Sequence, residues 1–354
     1  MIRIAVFCPN WVGDTVMATP ALRALRTHFP DACICGVLRP AAADVLEGLP
    51  YFNLRLIWSS RNDHRGARGW RLVRLIRRFA PQVAILFPNS LRTALVARLS
   101  GANRIVGYAR DGRSFLLTDR LHAPRNHGQW TPIPQVEYYL RLTDRLGCRR
   151  DGYRLELETT PLDEERADEV WQKERLTTAR RVVVFNPGGA YGPAKLWPPH
   201  YFSELARMFV RRLPGTAVLV LCGPGERELA KRIVREAAHP MVRSLAPYRP
   251  SIGLSKACVR RADLMITTDS GPRHFAAAFN VPVVTLFGPT DMRWSETYFE
   301  KAVHLQVPVS CGPCQLRRCP LDHRCMTALE PELVYEQAMA LWRRSSGESL
   351  RRSA

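Results

Sequence analysis

At 354 residues the chain is long enough for two domains of ordinary size. Its hydrophobic content of 46% is enough to build ordinary cores, but no uninterrupted apolar run approaches the ~20 residues of a bilayer-spanning helix. A formal net charge of +20 either attracts an anionic partner or is a solvated basic face, and the chain lacks the zinc-finger spacing, RNP-like motif or heptad zipper that would point to nucleic acid.

Apolar segments alternate with helical ones along the whole chain, which predicts an α/β class built on parallel sheets. In the first half, strands are expected near 2–8, 33–38, 53–57, 83–87 and 104–107, and helices near 17–29, 41–47, 70–79, 91–99 and 134–146. Met1 to Cys8 is too short for a signal peptide and reads as the first strand. After it, Asn10-Trp11-Val12-Gly13-Asp14 is a turn into an amphipathic helix, with Leu22 and Leu25 one turn apart. Asp14 falls where open α/β folds bind ligands, and it is either a helix cap or a general base facing that mouth. Further on, Leu72, Leu75, Ile76 and Phe79 form an apolar helical stripe. Arg71, Arg74, Arg77 and Arg78 therefore coat the outer face of that helix, and Arg61, Arg65 and Arg68 extend the basic run before it.

Residues 159–180 are charged and read as a helical connection into the second half. There, strands are expected near 181–186, 217–222, 242–245, 264–268 and 283–287, and helices near 199–212, 226–238, 251–260 and 272–279. A last helix at 331–344 is expected to pack back toward the first half. The strand Val182–Phe185 opens into Pro187-Gly188-Gly189 and then Gly192-Pro-Ala-Lys195-Leu-Trp197-Pro, which matches neither the dinucleotide fingerprint nor the P-loop. Lys195 is either a solvated lysine or a cation set to neutralise a diphosphate. The strand Leu264–Thr268 leads through Asp269-Ser270-Gly271 into an alanine-rich helix, with His274 one turn in. Such a helix start either receives a diphosphate on its free N–H groups or is simply capped by Asp269. No Asp-x-Asp pair occurs anywhere, so the sequence does not require a divalent metal.

Together these segments resemble glycosyltransferase family 9, the ADP-heptose–lipopolysaccharide heptosyltransferases, nearest its heptosyltransferase II members. The matching pieces are Asn10 to Asp14, Phe87-Pro-Asn89-Ser90-Leu-Arg-Thr-Ala-Leu95, Arg104-Ile-Val-Gly-Tyr108, Gly192 to Pro198, Asp269-Ser270-Gly271 with His274, Leu286-Phe-Gly-Pro-Thr290 and Cys319 to Met326. Where the family places two aliphatic or sulfur residues before the histidine, this chain has Pro272-Arg273. The resemblance implies a GT-B fold, two doubly wound Rossmann-like domains facing a cleft. Residues 1–160 would bind the acceptor, 161–180 would connect, 181–330 would bind the nucleotide-sugar, and 331–354 would be a final helix and tail.

By the same resemblance the reaction is inverting transfer from ADP-L-glycero-D-manno-heptose to an inner-core acceptor, heptosyl-Kdo-lipid A, with no cofactor. Asp14 would be the base and Lys195 the cation that stabilises departing ADP. Gly13, Gly192, Asp269, Ser270, Gly271 and His274 would meet the donor, with Glu226 on the ribose or merely at a helix start. Asn89, Ser90, Arg61, Arg110 and Arg113 are the acceptor candidates, since arginine forks suit carboxylates and phosphates. The protein is expected to be cytoplasmic, in peripheral contact with the inner leaflet of the inner membrane, and not to bind nucleic acid. Other readings are a family member with a different sugar or acceptor, such as a heptosyltransferase I, or a basic module without catalysis. A Rossmann-type oxidoreductase is opposed by the lack of Gly-x-Gly-x-x-Gly after Cys8. Cys311, Cys314, Cys319 and Cys325 fall within fifteen residues and hold a structural metal, stay free thiols or form a labile disulfide.

Overall fold

The structure is a computed structural model that describes residues 1–59 and 66–345. The chain divides into two compact units, one of Met1–Glu158 with Arg293–Tyr298, the other of Thr159–Met292 with the chain from Phe299 onward.

In the first unit the order is β1 (Arg3–Phe7), α1 (Val12–Met17), α2 (Thr19–His28), β2 (Cys33–Leu38), α3 (Pro40–Val45), β3 (Leu54–Ile57) and α4 (Gly69–Phe79). It continues with β4 (Val83–Leu86), α5 (Leu91–Leu99), β5 (Arg104–Tyr108), β6 (Asp119–Leu121), a hairpin of β7 (Arg125–Asn126) and β8 (Gln129–Trp130), and α6 (Gln135–Asp144). Six strands pair in parallel in the order β3-β2-β1-β4-β5-β6. The central strands are runs of Ile, Val, Ala and Leu because helices cover the sheet and both faces are buried. Leu72 and Ile76 of α4 are fully buried in that core, with Leu75 packed at its margin.

The helix expected over 17–29 is α2, and a further short helix, α1, precedes it, the two broken at Ala18. Pro20 has no N–H to give the carbonyl of Val16, and the Thr19 hydroxyl donates to that carbonyl instead, at 2.7 Å.

The second unit starts with α7 (Pro161–Lys173), whose Thr160 and Asp163 form a reciprocal capping box. It packs on α10, so the expected connection is an ordered part of this unit. The order continues with β9 (Arg181–Asn186), α8 (Pro199–Arg212), β10 (Thr216–Val220), α9 (Arg227–Ala237), β11 (Val242–Ser244), α10 (Ile252–Arg260) and β12 (Leu264–Thr268). It closes with α11 (Arg273–Ala278), β13 (Val283–Phe287), β14 (Ala302–Gln306), α12 (Arg324–Thr327) and α13 (Pro331–Ser345). The sheet order, β11-β10-β9-β12-β13-β14, repeats that of the first unit. Within its own unit α13 lies on α8 and on β12, β13 and β14.

The sixth strand of each sheet was not expected from sequence. β6 is three residues long, and β14 is half-buried along its whole length with His304 at its centre. Neither edge carries the strong apolar signal of a central strand. In each sheet the chain reverses direction of winding between its first strand and the fourth to be added, β1/β4 and β9/β12. Ligands of open α/β sheets bind at the carboxyl ends of such strand pairs.

Candidate functional site

The motif residues sit at these two switch points. In the second unit the loops after β9 and β12 are tied together. Asn186 Nδ2 donates to Thr267 Oγ1 at 3.0 Å and to Ser270 Oγ at 2.7 Å, and Thr268 Oγ1 donates to the Gly188 carbonyl at 2.7 Å. Ser270 and Gly271 are half-buried at the mouth of this pair. α11 follows at Arg273 and is only six residues long.

Lys195 is not a solvated lysine. It is 8% exposed, and its Nζ donates to Asp269 Oδ2 at 2.5 Å and to the Asp269 carbonyl at 3.2 Å. The ammonium also lies 4.5 Å from the centre of the Tyr191 ring. Thr290 Oγ1 donates to the same carboxylate oxygen at 2.8 Å, and Arg273 stands 3.8 Å from the other oxygen. Burial pushes the Asp269 pKa up, but the Arg273 and Lys195 cations outweigh it and hold the carboxyl below its usual range. An anionic Asp269 in this position orients Lys195.

His274 is turned inward as well. It is buried, and its Nε2 accepts from Arg273 Nε at 3.3 Å. Burial, then the Arg273, His304 and Lys195 charges, hold its pKa well below the imidazole range, so it is neutral when folded. The Pro272-Arg273 departure from the family pattern thus installs a buried guanidinium shared by Asp269 and His274. A consequence is testable by acid titration. The unfolded chain takes up a proton at His274 below about pH 6.5 and the folded chain does not, so stability falls with pH there by about 1.4 kcal/mol per unit. Urea unfolding of wild type and His274→Gln at pH 7, 6 and 5 should show this slope in the wild type and a shallower one in the variant.

Close approach requires one glycine of the loop: a Cβ on Gly192 would fall 2.5 Å from the Arg317 carbonyl. A Cβ on Gly188 would fall 1.9 Å from Glu226 Oε1 and would displace that side chain. Glu226 therefore stands directly against the β9 loop, with its Oε2 accepting the Gly223 N–H at 2.7 Å. The Arg317 contact comes from the cysteine loop, which folds onto the Lys195 segment. Ala194 N donates to the Arg317 carbonyl at 3.1 Å, Tyr191 Oη donates to the Gln315 carbonyl at 2.5 Å, and His323 Nε2 lies 2.7 Å from the Ala194 carbonyl. Cys311, Cys314, Cys319 and Cys325 are free and line one small cavity with Ala194 and Pro289. Among the described residues no three His, Cys, Asp or Glu side chains are arranged to hold a metal ion. Burial, then the neighbouring thiols Cys319, Cys311 and Cys314, raise the Cys325 pKa.

In the first unit Gly13 is buried and Asp14 is half-buried in the first turn of α1. Tyr139, from α6, donates its hydroxyl to Asp14 Oδ1 at 3.1 Å. Burial, then the Asp14 charge, drive the Tyr139 pKa well above its ordinary value, so the phenol stays protonated and fixes the carboxylate. No motif pointed to Tyr139.

The acceptor candidates separate by exposure. Arg113 is fully buried and does not offer a fork to solvent. Its guanidinium donates to the carbonyls of Tyr108 and Pro88 and, at 3.0 Å, to Asn89 Oδ1. Burial lowers its pKa to about 10. Asn89 Nδ2 in turn donates to Tyr138 Oη at 2.8 Å, and Ser90 Oγ caps α5 by accepting the Thr93 N–H at 3.1 Å. These three residues build the β4 loop. Arg113→Met should accordingly act on stability, removing about 2–4 kcal/mol in urea unfolding through unsatisfied buried acceptors. Arg110 is half-buried and lies 4.0 Å from the centre of the Trp130 ring, with Arg125 3.8 Å from the centre of the same ring. Trp130 and Arg125 were not singled out from sequence. Arg61 and Arg65 lie outside the described residues.

Two doubly wound sheets with polar residues at both switch points define the GT-B class of glycosyltransferase fold. Residues 69–324 match the family model for glycosyltransferase family 9 (heptosyltransferase), and the chain belongs to that family. It is 25% identical to lipooligosaccharide heptosyltransferase 2 of Campylobacter jejuni over 97% of this chain and 99% of that protein. It is 27% identical to lipopolysaccharide heptosyltransferase 2 of Escherichia coli over 96% of this chain and 98% of the relative. The solved structure of the E. coli ADP-heptose lipopolysaccharide heptosyltransferase II superposes with a TM-score of 0.76 at 23% identity, covering 98% of this chain and 100% of that one.

Proposed function

We propose that this glycosyltransferase moves heptose, with inversion, from ADP-L-glycero-D-manno-heptose to the lipopolysaccharide inner core, using heptosyl-Kdo-lipid A as acceptor. The observation that carries the reading is the buried Lys195–Asp269 pair at the β9/β12 switch point, a cation locked where open α/β sheets receive phosphates. The names of the relatives matched over nearly their whole length support heptose as the sugar and lipopolysaccharide or lipooligosaccharide as the acceptor class.

Chemically, the sugar–phosphate bond breaks with charge accumulating on the ADP oxygens. Lys195 is already oriented by Asp269 and Thr290, so it stabilises that charge with little reorganisation. Ser270 and the Gly271 backbone line the same mouth, and Glu226 accepts from the ribose hydroxyls. Asp14, held by Tyr139, takes the proton of the attacking acceptor hydroxyl on the face opposite the leaving group. Arg110, beside Trp130, supplies a cation for the acidic acceptor. The lipid anchor of that acceptor implies work at a membrane surface, by peripheral contact with the inner leaflet. No helix among the described residues is long and apolar enough to cross a membrane.

Mass spectrometry of the acceptor after incubation with ADP-heptose tests the reading. A gain of one heptose on the one-heptose acceptor, and none on Kdo-lipid A lacking heptose, is expected. Transfer only to the heptose-free acceptor would replace this acceptor assignment, and transfer to neither would remove the function.

A further inference from the structure

We propose that α4, α5 and the 3-10 turn at Ser114–Leu116 form one surface that seats this protein on an anionic lipid bilayer; the inference rests on the lipid-anchored acceptor proposed above. α5 buries Thr93, Ala94, Val96 and Ala97 against its sheet, as expected of a covering helix. Its opposite face is apolar too. Leu91, Leu95 and Leu99, spaced four apart, are 46%, 45% and 38% exposed. A surface helix that is apolar on both faces needs a second covering. α5 packs against α4 and against the 3-10 turn, and these neighbours add Trp70 and Phe115, 67% and 72% exposed.

Charge identifies what covers this face. Arg71, Arg74, Arg77 and Arg78 of α4 and Arg92 and Arg98 of α5 are all exposed, and neither helix contains an acidic residue. A second copy docked on the same face would set these arginines against their own kind. An anionic leaflet instead accepts the leucines, Phe115 and Trp70 at its acyl boundary and pairs the arginines with headgroup phosphates. Trp70 has the amphipathic ring that settles at such a boundary.

Co-sedimentation of the full chain with vesicles tests this. Phosphatidylglycerol in phosphatidylcholine should carry the wild type down, and phosphatidylcholine alone should do so about tenfold less. Leu95→Gln/Leu99→Gln and, separately, Arg74→Gln/Arg78→Gln should each weaken binding to the anionic vesicles about tenfold. Both variants should keep wild-type turnover of ADP-heptose on a water-soluble O-deacylated acceptor, which also shows that they fold. A wild type that turns over the soluble acceptor but ignores anionic vesicles overturns the surface and leaves the function standing. Variants that bind vesicles as the wild type does overturn it equally. Wild-type dimers in sedimentation velocity that the leucine variant abolishes would make the face a self-association interface instead. A wild type inactive on the soluble acceptor removes the functional reading on which the surface rests.

Discussion

Asp14→Asn lowers kcat by about a hundred- to ten-thousand-fold, the range expected when a positioned general base is removed. Donor affinity should stay within about twofold, because Asp14 belongs to the first unit and, Gly13 apart, the residues assigned to the donor belong to the second. The substitution is close to isosteric, and the amide oxygen still accepts from the Tyr139 hydroxyl, so α1 and α6 keep their contact. Presteady-state mixing with saturating ADP-heptose and acceptor measures the chemical step directly. Loss of donor binding along with the rate would show that the substitution damages the fold and would leave the base unidentified. Tyr139→Phe keeps the carboxylate and removes its anchor, so its rate loss should be smaller and its pH–rate profile displaced, a shift that a purely structural defect would not cause.

Lys195→Met should cost about a hundred- to a thousand-fold in kcat/KM, the usual effect of removing one preorganised group from a site of developing negative charge. It should also weaken binding of ADP itself, which carries the diphosphate without the sugar. The variant has a second consequence that must be separated from the first. It leaves the Asp269 carboxylate buried without its nearest cation, and breaking a buried pair from one side costs about 3–5 kcal/mol. Arg273, 3.8 Å away, remains and offsets part of that loss. The double variant Lys195→Met/Asp269→Asn removes the stranded charge. Its urea midpoint should recover toward wild type while its activity does not. Recovery of both would mean that Lys195 serves only to neutralise Asp269.

Much of this was legible in the sequence because the signals were local. β9 and β12 lie where their apolar runs end in glycine and proline turns, and α4 buries Leu72 and Ile76 as its stripe requires. Asp14 in the first sheet, and Lys195 and Ser270 in the second, could be placed on loops because an open sheet brings the turns after certain strands to its own mouth. What was not legible depends on contacts distant in sequence. Tyr139 reaches Asp14 across 125 residues, and nothing near either residue records it. Arg113 looked like a surface fork because arginine usually is one, and only the packed β4 and β5 loops show the carbonyls that take up its guanidinium. Asp269 and His274 were read as ligand contacts from their place in the motif. The buried Arg273 turns both inward, an effect of burial that a pattern of residue types does not carry. The edge strands β6 and β14 escaped notice because half-exposed strands lose the apolar run that marks central ones.

The most direct measurement is ADP release from ADP-heptose on mixing with heptosyl-Kdo-lipid A, followed in the wild type with and without acceptor. Release that depends on acceptor, yields one equivalent of ADP per heptose transferred and inverts the anomeric centre is the expected result. Tight donor binding without acceptor-dependent release, or transfer with retention, would contradict a base at Asp14 acting opposite a leaving group held by Lys195.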